Sequence, residues 1–150
     1  MINPTIEKFG HPESLLREYD HWLVLLRPAQ VTAGSLVLAA KSDATAYGAL
    51  SREAFAEQAV AVAEIEATLR HAVEYERINY LMLMMVDPHV HFHVIPRYPG
   101  SRTFAGTELV DRGWPGPPDL KSAITLQGAA MTAGRSEMLS NWRVGESKTG

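Results

Sequence analysis

The sequence predicts an α+β domain with a largely antiparallel sheet and one long helix. Three patterns carry that prediction. Residues 22–26 and 35–40 are apolar runs of strand length, and residues 51–73 repeat apolar side chains at three- and four-residue steps. The run His89-Val90-His91-Phe92-His93 alternates strictly, the period of a strand whose successive side chains point to opposite faces. Sequential strands usually lie next to one another, so these segments are expected to build one sheet.

Taken in order, residues 11–20 read as a short helix, with Pro12 in the first turn and Leu15 and Leu16 facing inward. Residues 22–26 form a buried strand that stops at Arg27-Pro28, because proline cannot donate to a ladder. A loop runs to Gly34, and residues 35–40 return as a strand paired with the first. The helix over 51–73 uses Ser51 as N-cap, Glu53 in its first turn, and an apolar stripe of Phe55, Ala59, Val62, Ile65, Leu69 and Val73. Residues 78–86 form a strand, and Asp87-Pro88 suits the start of a type I turn, so a hairpin is expected to lead into the histidines.

After Tyr98 the composition shifts. Gly106, Gly113, Gly116 and the run Trp114-Pro115-Gly116-Pro117-Pro118 predict an irregular connection, and a helix within 122–139 is weakened by Gly128 and Gly134. Residues 145–150 are expected to be mobile. The division is therefore a domain over 1–105 and a Pro/Gly-rich C-terminal extension over 106–150 with room to pack on it.

A chain of 150 residues can bury roughly 70% of the surface its unfolded form exposes, enough for a real core. A net charge of -3 without a basic run argues against extended nucleic acid but leaves a small nucleotide open as a partner. The absence of cysteine excludes disulfides and thiolate metal sites and agrees with a reducing compartment. The first residues lack a signal-peptide pattern, and no apolar run approaches the ~20 residues that span a bilayer. A cytoplasmic protein without a membrane partner is the expectation.

Three histidines on one strand face admit three chemistries. They can ligate a metal, although His89 and His93 would stand ~13 Å apart along a strand and two of them would need a carboxylate from elsewhere. They can be a polar face and nothing more. They can also act on a phosphate: one nitrogen of a neutral imidazole attacks while the other donates a hydrogen bond, and flanking imidazoles donate to phosphate oxygens.

The segment His89-Val90-His91-Phe92-His93-Val94-Ile95 resembles the histidine triad family, whose signature alternates three histidines with hydrophobic residues and adds two more. Pro96-Arg97-Tyr98 is similar to the dinucleoside polyphosphate hydrolase branch, and the resemblance extends more weakly over 22–98. It implies a histidine triad fold and a nucleotide hydrolase or transferase. His91 would attack the α-phosphorus of a dinucleoside polyphosphate or related derivative and form a nucleotidyl-histidine intermediate. His89 would orient it, and His93 would contact the phosphate and assist proton transfer.

The resemblance further implies a homodimer with no resident cofactor, a divalent cation at most accompanying the substrate phosphates. Many relatives carry a fourth histidine after the glycine that opens the second strand; here Gly34 is followed by Ser35, which can donate to a phosphate oxygen but cannot exchange a proton near neutrality. Asn79 and Arg97 are further candidates for sugar or phosphate contacts. Gln30, with Arg27 and Thr32, lies where a nucleotide edge can be read. Two rivals stay open: a nucleotide-binding or sensing protein with weak turnover, and a metal-dependent hydrolase.

Overall fold

Asn3 and Pro4 begin the first helix, α1 (Pro4–Lys8), in a computed structural model that describes residues 2–145. The Asn3 side chain accepts from the Ile6 amide at 3.0 Å, and proline at N1 sacrifices no helical bond. The helix expected over 11–20 does not form. Leu15 and Leu16 belong instead to strand β1 (Leu15–Glu18), which pairs antiparallel with β2 (Trp22–Leu26). Asn3-Pro4 caps a helix better than His11-Pro12, and a strand partner was ready at 22–26.

The sheet has five strands, all antiparallel, in the order β1-β2-β4-β6-β5, where β4 is Leu36–Ala40, β5 Arg77–Leu81 and β6 His91–Arg97. The pairing of the first two apolar runs is as expected, Trp22 opposite Ala40 and Leu26 opposite Leu36. Alternation then divides the side chains between two faces. Trp22, Val24, Leu26, Leu36, Leu38 and Val94 join the main core with the long helix, while Leu23, Leu25, Val37 and Ala39 form a smaller cluster closed by Ile6.

Helix α2 (Arg52–Val73) covers the main core, and the Ser51 hydroxyl accepts from the Ala54 amide at 3.1 Å. Its buried stripe is Ala54, Ala61, Ile65, Leu69 and Val73 together with Glu64 and Thr68; Phe55 and Ala59 are exposed. Phe55 rests against the Tyr47 ring instead, centroids 5.2 Å apart. Buried Glu64 anchors the chain's far end, accepting from Tyr19 Oη at 2.7 Å, Trp142 Nε1 at 3.3 Å and the Gly145 amide at 3.0 Å.

Two corrections concern the histidine segment. The strand expected over 78–86 ends at Leu81, whose partner His93 lies near the start of β6. Beyond it Leu83, Met85 and Val86 are exposed, so residues 82–90 form a loop rather than a tight hairpin. The Val90 backbone docks elsewhere, its amide donating to Ala44 O and its carbonyl accepting from the Ala40 amide. Strand β6 therefore starts at His91, and His89 stands outside it.

The region after Tyr98 is more ordered than its composition suggests. A hairpin of β7 (Ser101–Phe104) and β8 (Thr107–Val110) turns at Ala105-Gly106, both at positive φ as a type I′ turn requires. Residues 111–121 are irregular, as predicted. Short strands β3 (Ala29–Gln30) and β9 (Ile124–Thr125) pair across the molecule. Helix α3 (Ala129–Asn141) starts after Gly128, and a Cβ on its Gly134 would lie 3.1 Å from Leu26 Cδ2 and 3.3 Å from Phe104 Cε2. That glycine costs helix propensity but lets the backbone approach the core. Leu109, Leu126, Met131 and Met138 share the core of the five-stranded sheet. The mobile tail expected at the end of the chain falls, apart from Gly145, outside the described residues.

Candidate active site

Two cross-strand rows set the site on the face closed by α1. Leu23, Ala39 and His91 are opposite one another on β2, β4 and β6, and so are Leu25, Val37 and His93, with Leu81 of β5 completing the second row. The two imidazoles are thus two residues apart on one rigid strand, ring centroids 5.1 Å apart and nearly perpendicular. His89 does not extend the row. Its Nδ1 meets Thr5 Oγ1 at 2.8 Å, and its backbone carbonyl lies 2.7 Å from His91 Nδ1.

That last contact fixes the chemistry of His91. A carbonyl can only accept, so Nδ1 carries the proton and, in the neutral ring, Nε2 carries the lone pair. Nε2 is buried and has no hydrogen-bond partner among the described residues. The Phe9 ring lies 5.5 Å from the His91 ring and 5.4 Å from that of His93, and His91 is 0% exposed.

His93 is held differently. Arg27 Nε donates to its Nδ1 at 3.1 Å, which places the imidazole proton on Nε2. Burial, the Arg27 charge and neighbouring His91 push its pKa down to about 4 against an opposing pull from Asp87. The ring is therefore a neutral hydrogen-bond donor at physiological pH. Proton transfer, expected of this residue from the resemblance, is not the role its surroundings favour.

The remaining candidates are mostly spent on construction. Ser35 is fully buried, its hydroxyl donating to Thr32 O at 2.9 Å and accepting from the Thr32 amide at 3.1 Å, so it does not point toward a phosphate. Gln30, also fully buried, donates to Arg27 O and Ser35 O and accepts from the Gly34 amide. Thr32 Oγ1 donates to Pro96 O at 2.6 Å. Polar residues in a tight buried loop must satisfy their own backbone before they can read a ligand.

Arg97 is 3% exposed and committed to Asp111, with Nε to Oδ2 at 2.7 Å and Nη2 to Oδ1 at 3.1 Å. It also donates to Asn79 Oδ1 at 2.8 Å and Gly116 O at 2.8 Å. Arg97 thus ties the irregular C-terminal segment to the sheet rather than presenting a free charge. Asn79 lines a cavity of about 440 Å³ together with Arg77, Arg97 and Trp114, and no histidine lines it. Sequence reasoning missed Thr5, Phe9 and Asp111, which meet their partners only through the tertiary fold.

Among the described residues no group of three or more His, Cys, Asp or Glu side chains is placed to hold a metal ion. No described helix is long and apolar enough to cross a membrane.

An antiparallel α+β sheet with two imidazoles on β6, an interior strand, and a third histidine supplying a carbonyl defines the class of protein: it is the histidine triad fold. Solved structures bear this out. A histidine triad protein from Sinorhizobium meliloti superposes with a TM-score of 0.72 at 20% identity, over 94% of this chain and 96% of that one. One from Bradyrhizobium japonicum gives 0.70 at 14% identity over 95% and 98%. A zinc-bound histidine triad family protein from Mycobacterium smegmatis gives 0.56 at 17% over 90% of each chain. No protein-family model and no curated protein sequence matches the chain.

Proposed function

We propose that the protein is a nucleotide hydrolase or transferase that cleaves at the α-phosphorus through His91, with dinucleoside polyphosphates and related nucleoside phosphate derivatives as the substrate group. The observation that carries the reading is the His91 Nδ1 to His89 O bond at 2.7 Å beside an unpartnered Nε2. In the first step Nε2 gives its lone pair to phosphorus, the bond from phosphorus to the leaving oxygen breaks, and the leaving group departs with that electron pair. The positive charge left on the ring is stabilised by the His89 carbonyl. A water oxygen then attacks phosphorus, the N–P bond returns its electrons to Nε2, and the water's proton passes to solvent. His93 contributes Nε2–H to a non-bridging oxygen throughout.

The experiment is nucleoside monophosphate release from dinucleoside polyphosphate, phosphoramidate and adenylate substrates. Release by the wild type and its loss in His91→Ala, with an adduct on the intact protein during turnover, is the expected result. No release from any of them overturns the reading. A nucleotide binder with weak turnover is favoured by one observation, the Phe9 ring over His91; tight binding of a nucleoside monophosphate without release or adduct would establish it.

The partner proposed is a small nucleotide rather than extended nucleic acid or a membrane. A homodimer, implied by the motif resemblance, and a cytoplasmic location, expected from the sequence composition, belong to the same proposal and are checked by sedimentation and by fractionation.

A further inference from the structure

The loop between Arg27 and Gly34 has one polar side chain that is not used up in bracing it. Gln30, Thr32 and Ser35 bond to the loop's own backbone or to Pro96, and the Gln30 amide grips the Arg27 carbonyl at 2.7 Å. Arg27 follows Leu26 at the end of β2; two residues beyond Leu25, it lies one row past the one that joins Leu25, Val37 and His93, and its amide donates to Ser35 O. Its Nε reaches His93 Nδ1 at 3.1 Å and one Nη reaches Ala29 O at 2.6 Å.

Arg27 is also without a counter-charge. The ion pairs among the described residues join Lys8 to Asp87, Arg17 to Glu64, Lys41 to Glu18 and Arg97 to Asp111. None involves Arg27, although the residue is partly buried. A guanidinium cannot accept a hydrogen bond, so its contact with Nδ1 permits only one neutral tautomer of His93.

We propose that Arg27 is a positioning residue that locks His93 as an Nε2–H donor, and that its unpaired guanidinium supplies the positive charge met by the substrate phosphate. The two functions use different atoms: Nε orients the imidazole, and N–H groups left without a partner face the anion. This assignment deepens the nucleotide-transfer reading and rests on it for the identity of the anion. It also accounts for how the site dispenses with a fourth histidine at Ser35, since the cation comes from the end of the preceding strand.

Long-range proton–nitrogen correlation spectra of the imidazoles test the lock directly in the wild type, without substrate. Expected at pH 7 is His93 with its proton on Nε2 and a bare Nδ1, titrating near 4 as burial, Arg27 and His91 dictate with Asp87 opposing. A proton on Nδ1, or titration at the ordinary value of ~6.5, overturns the proposal. In Arg27→Met the ring should become a mixture of tautomers and titrate higher, kcat should fall ~10²-fold or more, as for loss of one oriented donor, and adenosine monophosphate should bind more weakly. Arg27→Lys should recover monophosphate affinity but not the single tautomer.

Unchanged spectra and unchanged kcat in both variants overturn the assignment while leaving nucleotide transfer by His91 intact. Conversely, a wild type with the Nε2–H tautomer that releases no monophosphate from any substrate retains the lock and refutes the nucleotide-transfer reading.

Discussion

Phe9 and His91 stand ring against ring, centroids 5.5 Å apart and planes inclined by 41°, so the proposed nucleophile is roofed by a side chain from the start of the chain. The roof is tied down around its edge. Asn3 Nδ2 donates to Ala40 O and Ser42 O, Ile6 is fully buried among Leu23, Leu25, Val37 and Ala39, and Lys8 pairs with Asp87 at 2.9 Å. Phe9→Ala should therefore uncover Nε2 while these ties keep α1 in place. Acylation of His91 by diethyl pyrocarbonate, followed by peptide mass mapping, should accelerate in the variant. Equal rates would mean that Phe9 does not control access.

Gly34 allows the braced loop to turn into β4. Its φ is +80°, and a Cβ there would lie 2.8 Å from Val73 Cγ2 and 3.1 Å from Leu69 Cδ2. Both the backbone conformation and the contact with the long helix exclude a side chain. Gly34→Ala is expected to cost ~1–3 kcal/mol, read as a lower urea midpoint with an unchanged slope.

Arg97 and Asp111 form a buried pair with 4% and 1% of their side chains exposed. Removing one partner strands the other charge out of water. Arg97→Met should lower stability by ~3–5 kcal/mol in chemical denaturation, whereas the double variant Arg97→Met with Asp111→Leu should recover much of the loss. A double variant no better than the single one would show that the pair matters for packing and not for its charge.

His93 makes stability depend on pH. Its folded-state value of about 4 lies below the ~6.5 of an unfolded chain, so in that window the unfolded state binds more protons. The contribution is present in full above ~6.5 and is lost progressively as pH falls toward 4. The difference between wild type and His93→Gln, measured as unfolding free energy at pH 4.5 and 7, should grow more favourable to the wild type as pH rises. A difference constant across that range would contradict it.

The sheet was legible because its signals are local. Residues 22–26 and 36–40 alternate between two buried faces, and Ser51 caps the helix that follows it within three residues. The histidine motif was legible because alternation on a strand fixes which imidazoles share a face, although His89 slipped out of the row when Val90 found Ala40 and Ala44 as partners. What sequence could not show was how polar residues divide their bonds. Ser35, Gln30 and Arg97 carry suitable groups for a phosphate, and only the fold reveals that Thr32, Gly34 and Asp111 claim them. Arg27, drawn from the same loop, was left free for His93.

The bond between Thr5 and His89 spans 84 residues of chain, and this fixes an order of events during synthesis. Ile6 can settle on the hairpin of β2 and β4 once that hairpin exists, but Thr5 and Phe9 have no histidines to meet until residues 89–93 have been made. Contacts so distant along the chain demand the largest loss of chain freedom and belong to the late stages of folding. The growing polypeptide can therefore seat its first helix on the hairpin of β2 and β4 early, while the contacts of Thr5 and Phe9 with the histidines wait until more than half of the chain has been made.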